Sequence, residues 1–245
     1  MLQDGMTCHI GKSCNNALEK ELNIFSNMLK VVNLWNSNLG KLDNKIAIYL
    51  KCNNELRLNL SGLTLRQADL IKVDLAVANL SEADLGESNM NRADLIKTNL
   101  SGSFLDGANL SGANLIGANL KNSKLIAVDL SKADLREVDL SEANLREAIL
   151  EGADLRKADL TKADLRDANL EEADLGRANL NKSNLSGAYL IEANLNETDL
   201  SETIFDEKQV EMLYKKYDLS KSKVFISDTN KIISYEEYCI RKQNG

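Results

Sequence analysis

The sequence predicts an all-β solenoid, a rod of stacked coils that each hold four five-residue units. Three observations predict it. Leucine occupies every fifth position from Leu60 to Leu200, with Met90 in one of these places and Phe205 closing the series. The residue two places earlier is alanine in 18 of 30 units and Ser, Thr or Val in most others, and the residue one place earlier is Asp or Asn in 24 of 30. Residue types also recur every 20 positions, which indicates four units per coil.

A period of five fits neither an α-helix nor a β-strand. Leucines five residues apart would lie on all sides of a helix, because each step turns about 140° beyond a full turn. A chain that bends every five residues instead directs each leucine inward and each Asp or Asn outward. Coils stacked about 4.8 Å apart would pair their backbone groups as in a sheet, which explains why the chain has no proline. Thirty units predict about 7.5 coils over residues 58–205.

Residues 1–57 are predicted to form an N-terminal helix and hairpin cap. Apolar residues at helical spacing predict a helix between Asn16 and Trp35, and Ile46 to Leu50 alternates as a strand. Cys8, His9 and Cys14 are interpreted as ordinary side chains of this segment, because a structural zinc site needs about four ligands. No metal and no cofactor is expected.

Residues 206–245 are predicted to form a C-terminal helix and hairpin cap. Asp206 and Gln209 have the spacing of a capping box. Segments 223–227 and 231–234, separated by Asp228-Thr229-Asn230, have the pattern of a short hairpin. The predicted buried side of the helix consists of Val210, Leu213, Tyr214 and Tyr217. The alternative interpretation of this end is a partner site or the interface of a homodimer.

The unit A-[D/N]-L-x-x resembles the pentapeptide-repeat family, and the resemblance runs from Leu58 to Phe205. It implies a right-handed quadrilateral β-helix. Together with the two flanking segments, this predicts such a helix with small α/β caps at both ends. Some members of that family resemble double-stranded DNA in shape and charge, bind DNA gyrase or topoisomerase IV, and protect against quinolones or toxins. Two features differ from those members: the inward residue is almost always leucine rather than phenylalanine, and no loop interrupts the units.

Charge and motifs exclude several classes of function. The chain has 37 acidic and 30 basic residues, and residues 58–205 alone hold 25 acidic against 15 basic. Direct nucleic-acid binding and binding to an anionic membrane are not expected, because both need a basic face. No secretory signal and no membrane span is visible, and four scattered cysteines favour a reducing, cytoplasmic setting. The single histidine and the absence of catalytic motifs argue against an enzyme.

Two surfaces are candidates for binding a partner. One is a column of carboxylates that the 20-residue period places on one face, namely Asp74, Asp94, Asp134, Asp154 and Asp174. These residues either satisfy backbone groups of the turns or contribute to a field that imitates DNA. The other candidate is the nearly uncharged band of residues 101–120 with the outward side chains of Phe104 and Ile116, together with the nearby outward residues Ile96 and Ile126. Ile149 is also expected to face outward.

The sequence therefore predicts a non-catalytic scaffold that binds a protein partner of unknown identity. The alternative is a DNA mimic that binds a type II topoisomerase.

Overall fold

The computed structural model describes residues 59–227 and 229–244. The predicted N-terminal cap, together with Cys8, His9 and Cys14, lies outside the described residues.

Each five-residue unit bends the chain through one tight turn. The amide of the small residue donates to the carbonyl of the preceding leucine, as Ala83 does to Leu80 at 3.1 Å. The second of the two residues between them is in the left-handed region in every unit from Gly62 to Glu202, with φ between 53° and 78°. Glycine is free of strain in this conformation, but most units place a charged side chain there.

Single-residue parallel bridges join each outward residue to the one 20 positions later. They run without a gap from Asn59–Asn79 to Asn184–Ile204. The predicted period of 20 is confirmed, so four units make one turn of a square solenoid.

The unit of residues 133–137 shows why proline is absent from the repeat. All five of its backbone amides are donors, two of them within the turn and three to the coils before and after. The acceptors are Leu130 O for Ala133 (3.1 Å), Ala113 O for Asp134 (2.9 Å), Asp154 O for Leu135 (2.8 Å), Asp134 Oδ1 for Arg136 (3.3 Å) and Arg156 O for Glu137 (3.1 Å). A proline anywhere in such a unit would leave an acceptor without a donor.

The interior is a column of leucines with smaller side chains between them. Leucines in the middle of the solenoid, such as Leu145 and Leu150, are fully buried, and so are Met90 and Phe205 in the same role. Each unit contributes two inward side chains, the leucine and the smaller residue two places before it. Burial of aliphatic surface is therefore the main stabilising force along the rod.

The solenoid passes into a small α/β segment at its C-terminal end. In chain order this segment comprises β1 (Ile204–Asp206), α1 (Glu207–Leu213), β2 (Lys223–Ile226), β3 (Lys231–Ser234) and α2 (Tyr235–Asn244). β1 pairs in parallel with β2, opposing Phe205 to Val224, and β2 pairs antiparallel with β3. One side of the square thus continues into a three-stranded sheet, and the predicted hairpin is confirmed. Neither described helix has the length and apolar character needed to cross a membrane.

Helix α1 lies on the last coil and is fixed there by its cap. Asp206 and Gln209 form the predicted capping box, and the Gln209 Nε2 atom donates to the carbonyls of Leu185 (2.6 Å) and Ala188 (2.8 Å). Val210 and Leu213 are buried as predicted, but the prediction for Tyr214 is wrong, since 48% of it is exposed. Tyr214 follows the last residue of α1 and lies about 100° round the helix from Leu213.

Candidate protein-binding surface

The outward residues form four flat sides joined by four corners. Side A begins at Asn59, side B at Thr64, side C at Asp69 and side D at Asp74, and each continues at every twentieth residue. The two turn residues after each inward leucine form a corner, which is named by the sides it joins. Sides B and D are opposite each other, and so are corners AB and CD.

The predicted column of five aspartates is on side D. In each of them the Oδ1 atom accepts a hydrogen bond from the backbone amide two residues later, at 3.0–3.3 Å. The aspartates therefore have a structural role in holding the turns, which is one of the two roles considered from the sequence. The residues are Asp74, Asp94, Asp134, Asp154 and Asp174.

Arginines neutralise the later part of this column. The Arg136 Nε atom donates to Asp134 Oδ1 at 2.8 Å and lies 3.6 Å from Asp154 Oδ2. Arg156 repeats this arrangement between Asp154 and Asp174. Hydrogen bonds from the Arg156 side chain hold the pKa of Asp154 below its ordinary value, although partial burial acts in the opposite direction. The later part of side D is therefore neutralised by arginines of corner DA, and the side does not form a continuous negative ridge.

The predicted apolar band does not form one patch. Phe104 is on side B, whereas Ile96 and Ile116 are stacked on corner DA, which borders the opposite side. Ile126 is on corner BC, diagonal to that corner. The three isoleucines are half-buried, and the Lys124 Nζ atom lies 4.8 Å from the centre of the Phe104 ring. The band fails as a single site because residues ten positions apart are two sides apart in a four-sided coil.

Corner DA carries an open groove of about 470 Å³, with Ile116 at one end and Gly176 leaving space in its wall. Its charged residues are paired with one another across successive coils. Lys157 Nζ lies 3.1 Å from Glu137 Oε1, and Arg177 Nε lies 2.7 Å from Glu197 Oε2. The groove therefore offers a partner few free charges.

A different surface, which the sequence analysis did not identify, carries the two most exposed large apolar side chains of the described solenoid, Tyr189 and Ile191. It comprises nine residues in three adjacent columns, here called the CD strip. On side C the column is Ile149, Asn169 and Tyr189; on corner CD the columns are Glu151, Glu171 and Ile191, and Gly152, Glu172 and Glu192. The exposed fractions are 61% for Tyr189, 52% for Ile191 and 41% for Ile149.

Backbone hydrogen bonds fix the register of the CD strip. Parallel bridges join Ile149 to Asn169 and Asn169 to Tyr189. On the corner, the Gly152 amide donates to Glu171 O at 2.9 Å, and the Glu172 amide donates to Ile191 O at 3.0 Å. The sequence contained a signal for this site: Ile149 and Tyr189 both replace the usual Asp or Asn, and their separation of 40 residues places them on one side.

Four carboxylates border the apolar side chains of the CD strip, and we call them the glutamate rim. They are Glu151, Glu171, Glu172 and Glu192. Within residues 59–227 and 229–244, none of the four side chains forms an ion pair or a hydrogen bond. Across the same part of the chain, no group of His, Cys, Asp or Glu side chains is arranged to hold a metal ion.

Comparison with known proteins gives a family match over most of the chain. A family model described as pentapeptide repeats matches in eight copies, at residues 59–95, 78–112, 105–141, 139–176 and 168–206. No curated protein sequence is significantly similar to the chain.

Three solved structures illustrate the structural matches. HetL of Nostoc sp. strain PCC 7120, a pentapeptide-repeat protein involved in regulating heterocyst differentiation, is 36% identical over 60% of this chain and 76% of its own, with a TM-score of 0.32. Rfr23 of Cyanothece 51142 is 39% identical over 40% of this chain and 64% of its own, with a TM-score of 0.25. A trypsin-treated form of the plasmid-mediated fluoroquinolone resistance protein QnrB1 is 15% identical over 77% of this chain and 96% of its own, with a TM-score of 0.41.

Proposed function

The chain belongs to the pentapeptide-repeat family, and from that premise we propose that it is a non-catalytic, cytoplasmic scaffold that binds a protein partner through the CD strip. In this proposal the solenoid is a right-handed quadrilateral β-helix of about 7.5 coils. Residues 1–57 and 206–245 are its caps, and no cofactor takes part.

The observation that supports this function is the exposure of Tyr189, Ile191 and Ile149 on one strip, which includes the two most exposed large apolar side chains of the described solenoid. Large side chains at outward positions contribute nothing to the leucine core, and they expose apolar area to water. Exposed apolar side chains interspersed with polar ones are typical of surfaces at which proteins bind one another.

Site-specific photo-crosslinking tests the proposal. A benzophenone amino acid at position 189 should give a discrete protein adduct in the cells that make the chain. The matched control is position 179, an outward residue of side A in the same coil. Adducts that are absent at both positions, or equal at both, would contradict a partner site on the CD strip.

The alternative, a DNA mimic that acts on DNA gyrase or topoisomerase IV, is disfavoured because arginines neutralise the later part of side D. Corner CD also changes sign along the rod, from Lys72, Arg92 and Lys132 to the glutamate rim. A DNA-like surface needs one sign over its length. A supercoiling assay with and without a quinolone decides between the two: the scaffold proposal expects no effect of micromolar protein, and protection of the topoisomerase would favour the mimic.

A homodimer through the C-terminal segment is a separate proposal about assembly. Exposed apolar residues on that segment support it, namely Met212, Tyr214, Ile232 and Ile240. Sedimentation equilibrium should show a dimer that Ile232→Lys dissociates, and a wild-type monomer would exclude this interface.

A further inference from the structure

We propose that the CD strip docks a segment of a protein partner in which lysine or arginine flanks aliphatic residues. This inference rests on the proposed scaffold function and specifies the chemistry of the partner.

The apolar side chains of the CD strip stand on a rigid backbone, with Tyr189 and Ile191 at one end, Ile149 at the other, and Asn169 between them on side C. Tyr189 and Ile149 stand two coils apart in one column, about 10 Å, on a backbone that is bridged at every rung. Ile191 lies beside Tyr189 on the adjoining corner. A partner that covers these three side chains removes apolar surface from water without any rearrangement of the rod, so the cost of ordering is small on this side.

The glutamate rim determines which partner can cover these three apolar side chains. Carboxylates that lose water without gaining a cation or a hydrogen-bond donor oppose binding. A partner must therefore bring its own positive charges next to its aliphatic side chains. Nucleic acids and anionic lipid surfaces carry the wrong sign, and a small cation would leave the apolar side chains exposed.

In the described part of the chain, the stacking of four glutamates without a paired cation is found on corner CD and is not imposed by the fold. On the diagonal corner AB, Lys162 Nζ lies 3.3 Å from Glu142 Oε1, and Lys182 Nζ lies 3.6 Å from Glu202 Oε1. The backbone of the two corners is the same, with φ near 60° at both. A lysine one coil away from each glutamate would neutralise the rim, as it does on corner AB. Corner CD instead carries Glu171 and Glu172 in one coil and Glu192 in the next.

Fluorescence anisotropy with labelled peptides of about twelve residues tests the proposal. The probe alternates lysine and valine, and the two control peptides alternate lysine with serine and glutamate with valine. The full-length protein should bind the lysine–valine peptide at least about tenfold more tightly than either control.

Two pairs of charge reversals distinguish the effect of the glutamate rim on peptide binding from the effect of the protein's net charge. Glu172→Lys with Glu192→Lys should weaken binding of the lysine–valine peptide about tenfold or more. Glu82→Lys with Asp167→Lys makes the same change in net charge, at the same left-handed turn position on corners AB and BC, and should alter the affinity by less than about twofold. Tyr189→Ser with Ile191→Ser should abolish the preference for valine over serine. All these side chains are exposed, and far-UV circular dichroism checks that each variant is folded.

The proposal is overturned if the wild type does not bind the lysine–valine peptide, binds the lysine–serine peptide equally well, or responds equally to both pairs of charge reversals. Those outcomes leave the scaffold function standing if position 189 still crosslinks to a protein. Absence of the crosslink, by contrast, rejects the scaffold function itself.

Discussion

Corners CD and DA have the same backbone, yet their charged side chains are paired on one corner and unpaired on the other. On corner DA, Lys157 pairs with Glu137 and Arg177 with Glu197, each across one coil. On corner CD, the glutamate rim stacks like charges over the same coils without a paired cation within the described residues. The fold needs the inward leucines and the turn hydrogen bonds, and it leaves the outward positions free. We therefore expect a partner to bind where the charged side chains at these outward positions are not paired with one another.

The largest effect should come from the core that both corners share. Leu150 precedes corner CD and Leu155 precedes corner DA, and both are fully buried. Replacing either by alanine leaves a cavity and should lower the free energy of unfolding by about 2–5 kcal/mol. Chemical denaturation should give the same loss for both within about 1 kcal/mol. A large difference between them would show that the corners do influence the core.

A smaller effect should come from the left-handed turn residues. Glu172 on corner CD has φ of 58°, so Glu172→Gly relieves about 1–2 kcal/mol of strain and costs about 0.5–1 kcal/mol of backbone entropy. We expect a net gain of about 0.5–1 kcal/mol in the free energy of unfolding.

Arg177→Gly is the matched change on corner DA, where φ is 62°. It also removes the ion pair with Glu197, so its gain should be smaller than that of Glu172→Gly. Equal gains in denaturation experiments would mean that the ion pairs of corner DA contribute nothing.

The smallest effect should be a pH dependence from side D, next to corner DA. The pKa of Asp154 is lowered in the folded protein, chiefly by hydrogen bonds from Arg156. Stability from this carboxylate is therefore present above its unfolded pKa, about 3.9, and is lost as the pH falls through the folded pKa. The stability difference between wild type and Asp154→Asn should shrink as the pH is lowered below about 4. A difference that stays constant from neutral to acidic pH would contradict this role of Arg156.

The fold could be predicted from the sequence because one rule is repeated in every unit. Leucine at every fifth place, Asp or Asn before it and the period of 20 determine the inward column, the turn hydrogen bonds and the stacking. The left-handed turn position was missed, although Gly102, Gly107, Gly112 and Gly117 all occupy it. Charged residues at the same position in other units concealed the signal.

The candidate site was harder to predict because it depends on which side of the square a residue occupies. Ile116 and Ile126 are neighbours in sequence but lie on diagonal corners, whereas Ile149 and Tyr189 are 40 residues apart and share a side. The pairing of Arg136 and Arg156 with side D likewise depends on side-chain geometry across coils.

The free energy of unfolding of two fourfold variants tests the central claim that corner CD is reserved for a partner while corners DA and AB stabilise the rod. One variant replaces the glutamate rim by glutamine. The other replaces four paired glutamates, namely Glu137, Glu142, Glu197 and Glu202. We predict that the rim variant is more stable than the wild type, because repulsion between stacked carboxylates is removed, and that the second variant is less stable. A rim variant that loses stability would show that these glutamates support the fold, which would contradict the account.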